Sequence, residues 1–170
     1  INVLINCAGF TKSNNSINYN YLDWEKTMNI NLNSIFILSK LVGKNMIKNS
    51  VHGSIINISS IGGYRGFPNN PAYTASKAAL SNLSKSMALD LGKFNIRVNN
   101  LVPGYAKTPM NKKSLSNKKD FDYRASKTML GRWAEPEEFI GPAIFLASEM
   151  SSYVTGSDLI VDGGWLGKGF

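Results

Sequence analysis

The residues with the clearest chemical potential are a tyrosine and a lysine, Tyr73 and Lys77, which lie four positions apart. The apolar pattern around them predicts a helix over 72–91. Because residues four apart lie on the same face of a helix, the phenol and the ammonium should be neighbours. A free tyrosine has a pKa of about 10, and a cation beside it favours the phenolate and lowers that pKa. We therefore expect Tyr73 to act as a general acid or base near neutral pH.

A hydroxyl group, that of Ser60, could act on the same substrate atom as the phenol. Residues 54–59 predict a strand that delivers Ser60 at its end, and a glycine turn follows at 62–63. Open α/β sheets bind ligands at the carboxyl ends of their strands, so that Ser60 and Tyr73 could share one substrate oxygen. Taken alone, the Tyr-x-x-x-Lys spacing is also typical of an amphipathic helix with an exposed lysine.

Four further motifs surround this pair along the chain. They are Asn6-Cys7-Ala8-Gly9 after the apolar run 1–5, Asn31 within a helix predicted over 22–47, Pro103-Gly104-Tyr105-Ala106-Lys107-Thr108 after a strand predicted over 95–102, and Asp162-Gly163-Gly164 after a strand predicted over 156–161. Short apolar runs of this kind suit the strands of a parallel sheet that is covered on both faces. In order and spacing, the set closely resembles the classical short-chain dehydrogenase/reductase family, from Ile1 to about Trp165.

The resemblance implies an α/β fold, the C-terminal two-thirds of a Rossmann-like doubly wound parallel sheet with helices on both faces. A single domain is expected over 1–170, in agreement with the chain length. A complete member of the family begins with a strand, a Thr-Gly-x-x-x-Gly-x-Gly turn that surrounds the cofactor pyrophosphate with backbone amides, and two further strands. No such turn occurs in this sequence. We therefore expect the domain to be N-terminally incomplete, with an exposed apolar strand edge.

By resemblance, four residues form the catalytic group, namely Asn31, Ser60, Tyr73 and Lys77. Tyr73 would exchange the hydroxyl proton, and Lys77 would lower its pKa and bind the nicotinamide ribose. Ser60 would orient the substrate oxygen, and Asn31 would hold a water that connects the lysine to bulk solvent. From the residues alone, an amide in an apolar helix is also typical of a satisfied buried hydrogen bond or a helix irregularity.

The resemblance also implies which residues contact the cofactor, NAD or NADP, between which this sequence does not discriminate. They are Asn6, Ala8, Gly9, Tyr73, Lys77, Pro103, Gly104, Ala106 and Thr108. The backbone of Ala106 and the hydroxyl of Thr108 would hold the nicotinamide carboxamide, and Gly9 would allow close backbone approach. Cys7 stands where the family has a second asparagine, and we interpret it as a small buried side chain. We assign no metal ligands, and we predict that His52 is a surface residue.

The segment 107–130 is expected to cover the substrate, because in the family the corresponding region closes over the active site. Residues 111–130 have no clear periodic pattern, and irregular regions of this length are usually lids or disordered. Seven basic and two acidic residues lie between Lys107 and Lys127, which supplies +5 of the net charge of +8. Since no aromatic residues there are spaced for base stacking, this charge favours a solvated mobile segment over a nucleic-acid site.

The function implied by the resemblance is NAD(P)-dependent hydride transfer to or from a carbonyl or secondary alcohol. The substrate would be of the sugar or polyol type, as in gluconate 5-dehydrogenases, or a 3-oxoacyl group. Val51 and Phe94 stand where carrier-protein reductases carry arginines, which favours the sugar or polyol type. Because the glycine-rich turn is missing from the sequence, an alternative stays open, a non-catalytic fragment or an oligomerisation or binding module.

Composition restricts the partners. No apolar run approaches the roughly 20 residues of a membrane-spanning helix. The single cysteine can form no internal disulfide, so that a cytoplasmic location is expected. By resemblance, the helix predicted over 72–91 pairs with its symmetry mate, and a homo-oligomer, either a dimer or a homotetramer, is expected. The substrate would be a small molecule, and neither a nucleic acid nor a membrane is expected as a partner.

Overall fold

Four parallel strands form the centre of the protein in a computed structural model, which describes residues 1–168. The strands are β1 (Val3–Asn6), β2 (Ser54–Ile58), β3 (Arg97–Pro103) and β4 (Asp158–Val161). They lie side by side in the order β1-β2-β3-β4, and each neighbouring pair is parallel. All four predicted strands are therefore present, displaced by no more than two residues at either end, and the α/β class is confirmed.

Within residues 1–168, six α-helices connect and cover the strands. They are α1 (Tyr21–Met28), α2 (Ser34–Lys48), α3 (Pro71–Gly92), α4 (Lys112–Leu115), α5 (Lys118–Ser126) and α6 (Ile140–Ala147). A π-helical segment, Asn29–Asn33, joins α1 to α2, so that the helix predicted over 22–47 is continuous but irregular. Short 3-10 helices lie at Ile61–Gly63, Pro109–Asn111, Pro136–Phe139 and Glu149–Ser151. None of the helices within residues 1–168 combines the length and the apolar character needed to cross a membrane.

The prediction that residues 111–130 are irregular was wrong, because α4 and α5 occupy much of this segment. Asn117 caps α5, since its side-chain oxygen accepts a hydrogen bond from the backbone N–H of Asp120 at 3.2 Å. Asp120 in turn pairs with Arg124 one turn later. Phe121 stacks on the fully buried Trp133, with 5.5 Å between ring centroids. A cap, an ion pair and one aromatic contact therefore stabilise a helix that is too polar to be recognised by its apolar stripe.

Helices cover both faces of the sheet, as the doubly wound prediction requires. Successive strand residues point to opposite faces, and two apolar clusters result. The cluster on the α2 and α3 face contains Met46, Ile55, Met87, Ala88, Ile96 and Val98. The cluster on the α6 face contains Ile56, Leu101 and Leu146. The sheet is thus fixed between two helical layers, which holds the carboxyl ends of its strands in place.

One row of polar side chains crosses the sheet in register, from Asn6 through Asn57 and Asn100 to Asp158. Asn6 Nδ2 donates to Asn57 Oδ1 at 2.7 Å. Ser84 of α3 connects Asn57 to Asn100, because its hydroxyl accepts a hydrogen bond from Asn57 Nδ2 at 2.8 Å and donates one to Asn100 Oδ1 at 2.7 Å. Asn100 Nδ2 then donates to Asp158 Oδ1 at 2.5 Å. A slip of one residue would break every one of these bonds, so the row fixes the register of the strands.

β1 is an edge strand of this sheet, and it exposes apolar side chains as expected. Val3 is 38% exposed and Ile5 is 47% exposed. Cys7, which follows β1, is exposed as well, so that the prediction of a small buried side chain was wrong. The reason is positional, since β1 has a paired neighbour on one side only within residues 1–168. His52 is exposed, as predicted.

Candidate active site

Ser60 and Tyr73 line the same cavity at the carboxyl edge of the sheet, and the volume of this cavity is about 510 Å³. Ser60 follows β2 and begins the 3-10 helix Ile61–Gly63, where its Oγ accepts a hydrogen bond from the N–H of Gly62 at 3.0 Å. Tyr73 lies in the first turn of α3. Pro71 begins that helix, and its fixed φ suits the first helical position. The two hydroxyl groups that the sequence predicted to act together are therefore brought to one site.

Lys77 lies one helical turn after Tyr73 and is buried, with only 3% of its surface exposed. Its Nζ donates a hydrogen bond to the carbonyl oxygen of Ile58 at 2.6 Å, and it lies 5.8 Å from the centroid of the Tyr73 ring. Burial disfavours the ammonium form and lowers the pKa of Lys77 to about 8. The side chain can therefore change its protonation state close to neutral pH.

Tyr73 has a raised pKa in this structure, whereas the sequence predicted a lowered one. Burial of the phenol raises the pKa, and a hydrogen bond with the Ser60 hydroxyl opposes that shift in part. The ammonium of Lys77 does not reverse this shift in the pKa of Tyr73, since its Nζ atom donates to the carbonyl of Ile58 and lies 5.8 Å from the centroid of the phenol ring. The phenol is thus held in its protonated form, which suits a proton donor.

Asn31 lies in the π-helical segment and is completely buried. Its Oδ1 accepts from the N–H of Phe10 at 2.8 Å, and its Nδ2 donates to the carbonyl of Phe10 at 2.9 Å and to Ser76 Oγ at 3.0 Å. Ser76 Oγ donates to the carbonyl of Tyr73 at 2.8 Å. Both structural alternatives weighed for Asn31 are therefore observed, a satisfied buried amide and a helix irregularity. The amide connects the loop after β1 to the first turn of α3.

The predicted cofactor residues after β1 have different environments. Asn6 is buried, and its amide donates to Ser39 Oγ at 3.0 Å and to Asn57, so that it supports the sheet. Ala8 and Gly9 are exposed. A Cβ atom added at Gly9 would meet no described atom closer than 3.7 Å, so that no protein neighbour requires a glycine there, and close approach to a cofactor stays a prediction.

Gly104, in contrast, does need the absence of a side chain. A Cβ atom at this position would lie 2.7 Å from the Cα of Asp162, closer than real Cβ contacts. The N–H of Gly104 donates to the carbonyl of Val161 at 3.0 Å, which ties the end of β3, at Pro103, to the end of β4. Gly104 also lines the cavity of Ser60 and Tyr73. The tight turn therefore places backbone directly at the site.

Ala106 and Thr108 continue this turn. Ala106 is buried and pairs with Ala134 in an isolated β-bridge. Its carbonyl accepts from the N–H of Thr108 at 2.9 Å and from Asn111 Nδ2 at 2.9 Å, which fixes the loop. The Thr108 hydroxyl lies 3.5 Å from the same amide nitrogen. The loop is thus held in one conformation by its own hydrogen bonds.

The sequence missed the side of the cavity that α4 and α5 form. Hydroxyl and amide groups from distant loops and from this segment line it, namely Thr11, Ser13, Asn70, Asn111, Ser114 and Asn117. Asp120 and Arg124 of α5 and Lys113 of α4 add charges. The Asp-x-x-x-Arg spacing was the one available signal for the helix that carries them. Within residues 1–168, no group of three or more His, Cys, Asp and Glu side chains is placed to hold a metal ion.

Comparisons with known proteins agree on one family. A family model described as Enoyl-(Acyl carrier protein) reductase matches residues 1–166. The 2-dehydro-3-deoxy-D-gluconate 5-dehydrogenase of Bacillus subtilis (strain 168) is 40% identical over 168 residues, which cover 99% of this chain and 66% of that protein. The 3-oxoacyl-acyl-carrier-protein reductase of Thermotoga maritima is 40% identical over 164 residues, with coverages of 96% and 65%.

A solved structure gives the same result for the fold. The crystal structure of a gluconate 5-dehydrogenase from Burkholderia cenocepacia J2315, in complex with NADP and tartrate, matches with a TM-score of 0.96 and 35% identity. The match covers 98% of this chain and 65% of that one. The chain thus spans about two thirds of the length of the curated relatives and of the solved structure.

Proposed function

The chain belongs to the short-chain dehydrogenase/reductase family, and we propose on this basis that it carries the catalytic part of an oxidoreductase. The reaction is reversible hydride transfer between NAD or NADP and a carbonyl or secondary alcohol. One observation carries the proposal. Ser60 and Tyr73 line one cavity, while Lys77 is buried one turn beyond the phenol with a pKa near 8. Active sites are where burial shifts titratable groups in this way.

The residues around the site fit the nicotinamide end of such a cofactor. The turn at Gly104 brings bare backbone to the cavity, and a side chain there would collide with Asp162, which directly follows β4. Pro103, Gly104, Ala106 and Thr108 are the residues we assign to the nicotinamide, and Asn6, Ala8 and Gly9 are those we assign near the adenosine ribose. When bound, the cofactor supplies or accepts the hydride. Tyr73 and Lys77 face its ribose in this proposal.

Proton transfer is the task of the protein. In the direction of reduction, Tyr73 donates its proton to the carbonyl oxygen, and the protonated form that burial favours is the one required. Ser60 donates a second hydrogen bond, which stabilises negative charge that develops on this oxygen. Lys77 can return a proton towards the phenol, because its pKa near 8 allows both forms. Asn31 holds the first turn of α3 through Ser76, and we assign it the water of the proton relay.

The polar cavity supports a sugar or polyol substrate over a 3-oxoacyl group. Hydroxyl and amide side chains can hydrogen-bond to the many hydroxyls of a sugar, whereas an acyl chain would leave them unpaired. The segment 107–130 covers the substrate in this proposal, since α4 and α5 form one side of the cavity. A relative at 40% identity is named as a dehydrogenase of a deoxygluconate, and another as a 3-oxoacyl reductase.

We also propose that the protein acts as a homo-oligomer, a dimer or tetramer in the cytoplasm. α2 and α3 carry large apolar side chains that no described residue covers. Leu41 is 58% exposed and Leu89 is 84% exposed, and Phe36 and Leu38 of α2 are exposed as well. A patch of this kind typically marks an interface. Sedimentation of the purified protein tests the state, and a monomer at all concentrations would contradict it.

The test of the function is turnover with NADH or NADPH by the full-length chain, which means these 170 residues together with any that precede or follow them in the natural protein. Absorbance of the nicotinamide follows the reaction with a panel of oxo-sugar acids, oxo-sugars and 3-oxoacyl thioesters. We expect turnover in the sugar group, and we expect Ser60→Ala to reduce it strongly. Ser86→Ala, at an exposed position of α3 outside this cavity, should leave it unchanged. The second candidate, a non-catalytic oligomerisation or binding module, is favoured by the missing glycine-rich turn. Oligomerisation without turnover on any carbonyl would select that candidate.

A further inference from the structure

A guanidinium from α5 reaches the catalytic cavity. Arg124 lines the cavity together with Ser60 and Tyr73, and about 31% of its side chain is exposed. The other cation on the lining is Lys113, which is exposed and forms no ion pair among the described residues. The two cations therefore differ, because Arg124 is partly shielded from solvent and Lys113 is hydrated.

Arg124 is held from two sides before any ligand binds. Its Nε donates to Asp120 Oδ1 at 3.1 Å, one helical turn earlier. Its guanidinium carbon lies 5.0 Å from the centroid of the Tyr105 ring, which also lines the cavity. Asp120 occupies the Nε edge and Tyr105 also hydrogen-bonds to the guanidinium, so that the remaining Nη hydrogens are the donors for a ligand. A side chain fixed in this way loses little conformational entropy when it binds.

The surroundings of Arg124 favour an anion at this end of the cavity. A second cavity of about 350 Å³ adjoins the same guanidinium, and it is also lined by Arg65 and Lys127. Asp120 is the one acidic residue on either lining. The paired Nη donors of an arginine match the two oxygens of a carboxylate, which a lysine cannot do. The rest of the first lining consists largely of hydroxyl and amide groups, which suit a polyhydroxylated body.

We propose that Arg124 is a specificity-determining residue, which binds the carboxylate of a polyhydroxylated acid whose reacting carbon lies at Ser60 and Tyr73. Asp120 is the positioning residue that holds the guanidinium. The inference rests on the oxidoreductase function proposed above and names the substrate class of that site. It also distinguishes this site from one for neutral sugars, which would have no use for a fixed cation.

The test compares acids with matched neutral polyols in the full-length chain. The variant is Arg124→Gln, and the substrates are aldonates, each paired with the alditol of the same carbon skeleton. Because a hydrogen bond to a charged group contributes up to about 3 kcal/mol, we expect the KM for the aldonate to rise about 10- to 150-fold. The KM for the alditol should stay within about two-fold, since it makes no charged contact. Tartrate should inhibit the unaltered enzyme competitively and should inhibit the variant far more weakly.

Three further variants separate binding from folding. Lys119→Gln removes the same charge from an exposed position of α5 outside both cavities and should change neither constant. Asp120→Asn should raise the aldonate KM in the same direction but by less, because the guanidinium stays charged. If Arg124→Gln fails to fold, Arg124→Lys keeps the positive charge without the planar pair of Nη donors. This variant should give an intermediate rise in the KM for the aldonate.

Two results would overturn the inference. The first is that Arg124→Gln changes the KM for the aldonate and the KM for the alditol equally, or that tartrate inhibits the unaltered enzyme and the variant equally, while hydride transfer persists. This outcome leaves the oxidoreductase function intact and removes the role of Arg124. The second is an unaltered enzyme that transfers hydride to neither class, which overturns the inference. If this enzyme also turns over no member of the carbonyl panel above, the oxidoreductase function is overturned with it.

Discussion

Lys77 offers the most quantitative prediction, because its burial has a thermodynamic consequence. The pKa of this lysine is about 8 in the folded protein and 10.5 when unperturbed. Each pKa unit corresponds to about 1.36 kcal/mol, so that the difference is worth about 3 kcal/mol. Below pH 8 both the folded and the unfolded chain carry the proton, and the full cost of burying the ammonium is present. Between about pH 8 and 10.5 only the unfolded chain retains the proton, so that stability rises with pH.

The perturbation that tests this is Lys77→Met, which keeps the apolar stem and removes the titratable group. Urea unfolding is measured at a series of pH values from 7 to 11 for both proteins. We expect the stability of the unaltered protein, relative to the variant, to rise by about 3 kcal/mol across the window. The loss of the hydrogen bond to Ile58 adds an offset that does not depend on the pH within the neutral range. The quantity to compare is therefore the change of the stability difference with pH, and not its absolute value.

Lys85→Met is the matched control, because Lys85 is exposed on the same helix. The difference in the free energy of unfolding between Lys85→Met and the unaltered protein should not change over the same pH range. A flat difference for Lys77→Met would refute the reasoning, since it would mean that the lysine keeps its ordinary pKa in the folded protein. The account of proton return to Tyr73 would then lose its physical basis.

Three further predictions concern the frame of the site. Gly104→Ala should destabilise the protein by about 1–3 kcal/mol, because the methyl group would collide with the Asp162 backbone. Gly66→Ala, which meets no described atom within 4 Å, should be nearly neutral, and equal urea midpoints for the two variants would contradict this. Asn31→Ala removes hydrogen bonds to Phe10 and Ser76 and should cost about 1–3 kcal/mol in the same assay, whereas the exposed Asn33→Ala should cost little. Finally, calorimetric titration of the 170-residue chain with NADH and NADPH should give no binding in the micromolar range, because its sequence lacks the glycine-rich turn that surrounds a pyrophosphate, and a micromolar constant would reject this reasoning.

Much of this fold can be predicted from the sequence because its signals are local. Each strand is a short apolar run that ends in a recognisable turn, and the helix of Tyr73 and Lys77 has its apolar stripe and a proline at its start. The family resemblance, which both the family model and the solved structures confirm, then supplies the topology. The irregularity at Asn31 was also foreseeable, since an amide rarely lies in an apolar helix without a partner.

What could not be predicted depends on burial and on contacts between distant segments. The pKa of Tyr73 rises because the phenol is desolvated, and spacing along a helix carries no information about desolvation. The exposure of Cys7 depends on which strand lies beside β1. α5 lacks an apolar stripe, so that its stability comes from the Asn117 cap, the Asp120–Arg124 pair and the contact with Trp133. The side of the cavity that α4 and α5 form could therefore not be predicted from the apolar pattern of the sequence.

The most direct measurement of the central claim is hydride transfer by Tyr73→Phe in the full-length chain. The variant removes one oxygen atom, and Tyr21→Phe, at an exposed position of α1, is its control. A positioned general acid contributes roughly 10²- to 10⁴-fold, so that turnover should fall by at least this factor while the dissociation constant of the cofactor stays the same. Turnover by Tyr73→Phe at the rate of the unaltered enzyme, with the cofactor bound, would contradict the assignment of the phenol as the proton donor.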